Sequence, residues 1–369
     1  MRGAGVRVLI VGAGLAGLAA ARTLRGWGAT VEIVERAAGP TAEGTGIYLP
    51  GNAVRALDSL GLGAAVADRA VRVERQRTAD HRGRVLFDVD VAQWWHGVGP
   101  CLALHRADLH QALLGGADDV PIHWGQTVGA VTLDSAGVSV ELEGQSDRYD
   151  LVLGADGVHS TVRRLIFDGH RARPVGQFAR RFVVAGPDQA AGWSVQLGRG
   201  SAFLTIPIGD GRVYCYCDGP LDDPPSLREL LSGYAEPVPT LLDALDEAGG
   251  EYSVHAGPVE EVVLDSWSRG GVLLIGDAAH ATSPNMAQGA AMALEDAIVL
   301  AESLTAAAGI TEALAGYERR RRPRTDWVLA QTHRRDRART LPPPVRALVL
   351  KRFGHRIFDS NYRPLREQP

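Results

Sequence analysis

Three glycines stand at GxGxxG spacing in Gly12-Ala13-Gly14-Leu15-Ala16-Gly17, between a β-branched apolar run, Val6 to Val11, and a helix-patterned segment, Leu15 to Trp27. A strand-to-helix junction of this kind turns backbone N–H groups and the positive end of a helix dipole toward a pyrophosphate. Gly12 permits the tight turn, Gly14 lets the backbone approach the phosphates, and Gly17 lets the helix pack closely on the strand. Alone, the hexapeptide is only a glycine-rich turn. Glu35 raises it above that: it closes a second strand 18 residues beyond Gly17, where its carboxylate can accept ribose hydroxyls. An acid at that position disfavours a bound NADP, whose 2′-phosphate it repels.

A βαβ unit of this type serves NAD and FAD alike, so residues further along must decide. Leu273-Leu274-Ile275-Gly276-Asp277-Ala278-Ala279-His280 puts a carboxylate just past a buried apolar run. In an open α/β sheet, ligands collect at that end of the strands. Asp277 can bind ribityl hydroxyls, which FAD has and NAD lacks; the competing reading is an N-cap or Asx turn. Pro284-Asn285-Met286-Ala287-Gln288-Gly289-Ala290 then leads into a long helix. A helix N-terminus aimed at the flavin pyrimidine edge stabilises negative charge on the reduced ring, and the small residues there leave it room.

These residues need a parallel sheet to hold them. Leu15, Leu18, Ala21 and Leu24 fall on one helical face, Gly28 supplies a stop, and Thr30 to Glu35 reads as the second strand. A loop at 39–52, helices at 52–60 and 106–114, and buried strands at 149–154 and 271–276 follow from the apolar patterning. Residues 175–255 read differently. Runs at 193–197, 202–206 and 212–217, the last two joined by Gly209-Asp210-Gly211, suggest antiparallel strands of a second lobe. A long helix from Gln288, another from about Glu312 and an Arg-rich, Pro-interrupted stretch from 331 complete the chain.

Composition excludes several classes. With 369 residues, 45% hydrophobic and a formal charge of −4, the chain has the profile of a globular protein of two lobes, with no bias toward nucleic acid. Cys101, Cys215 and Cys217 form no CxxC or even-numbered framework, and there is no secretory leader or membrane-span pattern, so a cytoplasmic location is expected. Neither metal-ligand spacing nor a GxSxG nucleophile elbow occurs.

The motifs GAGLAG with Glu35-Arg36, Leu153-Gly154-Ala155-Asp156-Gly157 with Arg163-Arg164, and GDAAH followed by PNMAQGA together resemble the class A flavoprotein monooxygenases, the single-component aromatic hydroxylases. The resemblance covers residues 1–330. It implies an α/β fold: a Rossmann-like FAD-binding lobe with an inserted β-sheet substrate lobe, as in p-hydroxybenzoate hydroxylase, and C-terminal helices. The expected FAD lobe comprises 1–75, 101–170 and 265–330, the substrate lobe 76–100 and 171–264, and 331–369 a helical tail. Cofactor contacts are expected from Gly12, Gly14, Leu15, Ala16, Gly17, Glu35, Arg36, Tyr48, Arg106, Val128, Asp156, Asp277, Pro284, Gly289 and Ala290. Ala16 and Ala287 stand where many members have Gly, which implies altered ring packing.

The chemistry implied by the resemblance is monooxygenation: NADH or NADPH reduces FAD, O₂ adds at C4a, and the hydroperoxide passes one oxygen to a small aromatic or heteroaromatic substrate by hydroxylation or epoxidation. Pro284 then helps position the peroxide. Tyr214, Leu204 and Trp94 are candidate substrate contacts, though core packing competes for each. The strands offer few charges beyond Arg199 and Arg212, which points to a neutral or weakly polar ring, and Ala202 in place of an arginine argues against urate. Trp94-Trp95 does not reproduce the halogenase WxWxIP pattern. A dehydrogenase or reductase on the same fold, and a non-catalytic flavin sensor, are the alternatives. Arg319 to Arg322 reads as a solvated run.

Overall fold

The computed structural model describes residues 3–40, 45–134, 137–186 and 192–369. Strand Arg7–Val11, helix Leu15–Trp27 and strand Thr30–Glu35 form the expected βαβ unit with the strands parallel. Gly28 ends the helix at φ 106°, where its N–H donates to the carbonyls of Leu24 and Arg25. Val8, Leu9 and Ile10 are fully buried, because a parallel strand is covered on both faces.

Around this pair runs a six-stranded sheet in the order Ser268–Arg269, Val272–Leu274, Leu151–Gly154, Arg7–Val11, Thr30–Glu35 and Ile122–Trp124. Its members are parallel except for the two-residue edge at 268–269. The segments carrying Gly12, Asp156 and Asp277 therefore leave the same end of one sheet, although up to 265 residues separate them. A meander, Val128–Asp134, Gly137–Leu142 and Gln145–Tyr149, forms a small sheet of its own.

A seven-stranded sheet follows the order His255–Glu261, Arg173–Ala185, Arg212–Pro220, Ala202–Gly209, Trp193–Leu197, Arg75–Asp80 and Val85–Asp90. Strand alternation gives it two chemically different faces. Phe182, Phe203, Cys215 and Cys217 point backward onto helices Leu227–Leu231 and Val238–Glu247. Arg181, Leu204, Tyr214 and Tyr216 point forward into a large cavity. The two back helices were not foreseen, although Leu227, Leu231, Val238, Leu241, Leu242 and Leu245 are all buried at helical spacing.

Three other expectations change. Within the loop expected at 39–52, residues 41–44 lie outside the described residues, and Gly46–Leu49 is a strand paired antiparallel with Leu102–His105. The boundary expected at 331 falls inside an unbroken helix, Ile310–Ala338, which continues through Pro323. The following helix, Pro343–Tyr362, turns back over the substrate sheet, where Gly354 presses on Phe87 so closely that a Cβ would lie 2.5 Å from its ring. Residues 331–369 thus wall the cavity.

The third correction concerns the arginine run. Arg321 is fully buried and donates at 2.8 Å to both Asp296 and Glu295, themselves buried on helix Gly289–Ala306. Asp296 also accepts from His280 at 2.7 Å and from the Gly276 N–H at 2.8 Å. Glu295 accepts from Arg324 at 2.8 Å and from Asn52 at 3.1 Å. Burial alone would raise the Asp296 carboxyl, but His280 and Arg321 outweigh it and hold the group far below the usual carboxylate range. Helical periodicity turned one arginine of the run inward, and the two acids neutralise it there.

A depressed folded-state pKa contributes stability above the unfolded value of about 4 and loses it as pH falls toward the folded value. Thermal melts between neutral pH and pH 3 should therefore show an acid-side loss that Asp296→Asn flattens. Arg321→Met, which leaves Asp296 with only His280 and Glu295 with only Arg324 as charged partners, should destabilise by about 3–5 kcal/mol at neutral pH. A midpoint unchanged in Arg321→Met would contradict the role given to the network.

Candidate active site

Two hollows that share Arg106 as a lining residue lie along the C-terminal edge of the parallel sheet. The smaller, about 240 Å³, is lined by Gly14, Leu15, Glu35, Arg106, His110 and Trp124. Gly14 is the N-cap of helix Leu15–Trp27, and no side chain caps it. The three glycines of the turn do different work. A Cβ on Gly17 would lie 1.9 Å from the Gly12 carbonyl oxygen, and one on Gly12 would lie 2.5 Å from that of Ala155. At Gly14 a Cβ would meet nothing within 4 Å. Gly12 and Gly17 therefore serve packing, while Gly14 faces open space at a helix N-terminus. Glu35 sits at the edge of this groove, where its carboxylate accepts 2.9 Å hydrogen bonds from the N–H groups of Ala13 and Ala37.

Arg106 lines both this groove and the main cavity of about 2050 Å³. That volume exceeds the roughly 300–1,000 Å³ of a single small-ligand site, so it has room for more than one molecule. Asp277 reaches the cavity from the first turn of helix Asp277–His280, whose N-cap is Gly276. Its carboxylate bonds no described residue, so the capping alternative fails. Gly276 holds φ 57°, and a Cβ there would lie 2.8 Å from the Ala16 methyl. Ala16 is thereby placed behind the turn, against Gly276.

Pro284, Gly289 and Ala290 form the adjoining wall. Ala287 holds the left-handed conformation at φ 50°, which costs a non-glycine residue about 1 kcal/mol. The loop is clamped on both sides. Gln288 accepts from Asn52 at 2.9 Å, and Arg335 donates to the Asn285 carbonyl and, at 3.1 Å, to the Tyr362 hydroxyl.

Opposite stands the forward face of the seven-stranded sheet. Leu204, Tyr214, Tyr216, Trp193 and Val195 supply an apolar and aromatic wall. Tyr214 packs where Gly46 has no side chain: a Cβ there would lie 2.3 Å from the tyrosine Cβ. Tyr48 is buried with its hydroxyl accepting from Gln76 at 2.8 Å, and burial pushes its pKa well up. Arg181 lies 5.4 Å from the Tyr216 ring centroid and has no carboxylate partner among the described residues. Arg339 does have one, since both its terminal nitrogens bond Asp218.

Several expected contacts fall elsewhere. Trp94 lies outside the cavity, edge-on to Phe358 at 5.4 Å and to Trp95 at 4.8 Å, and donates to Asp359 at 3.3 Å; the last helix covers it. Val128 is buried at the start of the meander and lines neither hollow, and Arg36 is exposed and lines neither. Asp156 turns its carboxylate to the Thr161 N–H at 2.6 Å, at the start of helix Thr161–Ile166. Arg212 pairs with Asp210 in the hairpin turn at 2.9 Å, and Arg199 does not reach the cavity. Of the charged groups that line it, Arg181 on the sheet and Arg334, Arg335, Arg339, Arg346 and Arg356 on the last two helices were missed. Alternation from the inward Phe182 could have flagged Arg181, whereas Arg339 arrives from a distant helix.

An open helix N-terminus, a carboxylate beside it, an arginine bridging two hollows and a free carboxylate near a second helix N-terminus make an elongated donor set. It fits a diphosphate flanked by a ribose and a polyol, with a flat ring beyond. Residues 5–332 match the family model described as FAD binding domain. The chain belongs to this family, the FAD-dependent monooxygenases of the aromatic-hydroxylase class. It is 32% identical to the aurachin C monooxygenase/isomerase of Stigmatella aurantiaca, over 89% of this chain and 88% of that protein. To a 2-heptyl-3-hydroxy-4(1H)-quinolone synthase of Mycobacteroides abscessus it is 31% identical, over 94% of each. The structure of Klebsiella pneumoniae HpxO complexed with FAD and uric acid superposes with a TM-score of 0.88, at 26% identity, over 99% of this chain and 97% of that one. FAD is the cofactor, with NADH or NADPH as donor and O₂ as co-substrate. None of the described helices is long and apolar enough to cross a membrane.

Two glycine substitutions should separate ligand space from fold space. Gly14→Val should leave the thermal midpoint of the FAD-free protein nearly unchanged and abolish measurable FAD retention. Gly17→Ala should instead lower that midpoint, because its methyl meets backbone. Equal FAD retention by Gly14→Val and the parent protein, read from flavin absorbance after gel filtration, would show that the groove is not the nucleotide site.

Proposed function

We propose that the chain transfers one oxygen atom to a heteroaromatic ring of about quinolone size, neutral apart from a ring oxygen that Arg181 holds. The observation that carries this reading is the aromatic and apolar face of Leu204, Tyr214, Tyr216 and Trp193, which carries in Arg181 a cation with no carboxylate partner among the described residues and shares the cavity with the Pro284–Gly289 wall. Relatives named for quinolone and aurachin chemistry support it. Ala202, a methyl on the cavity wall, offers no cation for an acidic purine, and Arg339 beside it is neutralised by Asp218.

FAD, when bound, supplies the redox chemistry, carrying two electrons from the nicotinamide donor to O₂, of which one atom enters the product and the other leaves as water. The chain's own residues bind, orient and exclude water. Glu35 receives the adenosine ribose, and the Gly14 N-terminus and Arg106 receive the diphosphate. Asp277 takes the ribityl hydroxyls. The N-terminus of helix Gly289–Ala306, which lines the cavity through Gly289 and Ala290, would favour negative charge on a flavin ring held beside it. Pro284 removes an N–H from the wall beside that ring. Tyr214, Tyr216 and Leu204 keep the reacting ring dry, which strengthens the Arg181 contact.

Purified FAD-loaded protein should oxidise NADH or NADPH faster when one aromatic of a ring panel is added, and the product should carry one atom from isotopically labelled O₂. Arg181→Leu should raise KM for that compound about 10- to 100-fold, the worth of a charge-assisted hydrogen bond. Product lacking the label would mean dehydrogenation or flavin reduction, and absence of turnover across the panel would favour a sensor.

A further inference from the structure

Half of the strongly exposed large apolar side chains among the described residues lie on one short stretch. Leu341, Val345, Leu348 and Phe353 are 39%, 47%, 70% and 42% exposed. Val345 and Leu348 stand three residues apart on the first turns of helix Pro343–Tyr362, and Leu341 precedes that helix by two residues. Further along the helix, Lys351, Arg352 and Arg356 are exposed, beside Phe353 and His355.

This stretch is also the most one-sided in charge. Residues 337–358 contain Arg337, Arg339, Arg346, Lys351, Arg352 and Arg356 and no Asp or Glu, in a chain of formal charge −4. Arg339 is used internally by Asp218, and Arg346 by the carbonyls of Gly198 and Arg339. Arg337, Lys351, Arg352 and Arg356 form no ion pair among the described residues. The inner side of the same helix lines the cavity through Val349, Leu350 and Ile357, and Leu341, Arg334 and Arg356 stand on its rim.

We propose that this face docks on the surface of an anionic phospholipid bilayer. Leu341, Val345, Leu348 and Phe353 enter among the upper acyl chains, and Lys351, Arg352 and Arg356 meet the headgroup phosphates. Apolar insertion and basic residues on one helix are the combination that binds such a surface without spanning it. The cavity mouth then opens onto the bilayer, so an apolar ring compound dissolved there reaches the site without crossing water. A two-fold contact with a second copy is disfavoured, because it would bring like charges together.

Flotation of the FAD-loaded full chain with vesicles separates the outcomes. Vesicles of phosphatidylcholine with phosphatidylglycerol should carry the protein upward, pure phosphatidylcholine vesicles should carry little, and high salt should release it. Lys351→Ala with Arg352→Ala should lower the partition coefficient about 30-fold, and Leu348→Glu about tenfold. These side chains are exposed, so the variants should keep bound FAD and the parent melting temperature. Equal binding to both vesicle types, or to neither, overturns the proposal. So does sedimentation velocity showing a dimer that Leu348→Glu dissociates, which would make the face a contact between two copies.

Discussion

The guanidinium of Arg321 is the point on which the cofactor side of the molecule is assembled. Its two neighbours, Asp296 and Glu295, are adjacent on one helix, and through them it ties together four parts of the chain: its own helix, theirs, the Gly276–His280 turn and the helix of Asn52. Asp296 reaches the N–H of Gly276 and the His280 ring at the strand end, and Glu295 reaches Asn52 and Arg324. Buried charge is tolerated only when compensated and hydrogen-bonded. Here that requirement works as a positional constraint: the strand end, the Asp277 turn and the helix beginning at Gly289 settle together or leave a charge unpaired.

That constraint explains how Asp277 can face the cavity without a partner among the described residues. Its neighbour Gly276 is held by Asp296, and the left-handed Gly276 backbone fits only because Ala16 and Ala293 are small. The carboxylate is therefore positioned by backbone rather than by its own hydrogen bonds. Glu35 is different, being tied to two backbone N–H groups at the groove edge. One acid is fixed in advance, and the other is left free for a ligand.

On the far side, a single sheet separates two environments. Its back face is closed by two helices and filled by Phe182, Phe203, Cys215 and Cys217, where burial pushes both thiols far up and keeps them inert. Its front face keeps the residues with polar tips, Tyr214, Tyr216 and Arg181. The final two helices complete this chamber, and Arg339 at the end of the first of them pairs with Asp218 of the sheet. The outer surface of the last helix is apolar and basic, so the same element that shuts the cavity also determines what its mouth meets.

The sequence by itself determined the nucleotide end of this protein. Gly12, Gly14, Gly17 and Glu35 lie close along the chain, and their spacing already dictates a strand, a turn and a helix. The place of Asp277 on the cavity wall was legible for the same reason, since it follows directly on a buried apolar run, and the Pro284 loop lies seven residues beyond it. Residues whose expected roles depended on distant neighbours were not: Trp94 is covered by a helix 265 residues later, and Arg321 is buried inside a run that reads as solvated. Arg181 and Arg339 reach one cavity from two elements 158 residues apart. Local spacing fixes backbone form within a few turns, but which side chains share a cavity depends on how sheets and helices pack. Only the tertiary structure decided that, because burial of charge and apolar surface is settled between elements, not along them.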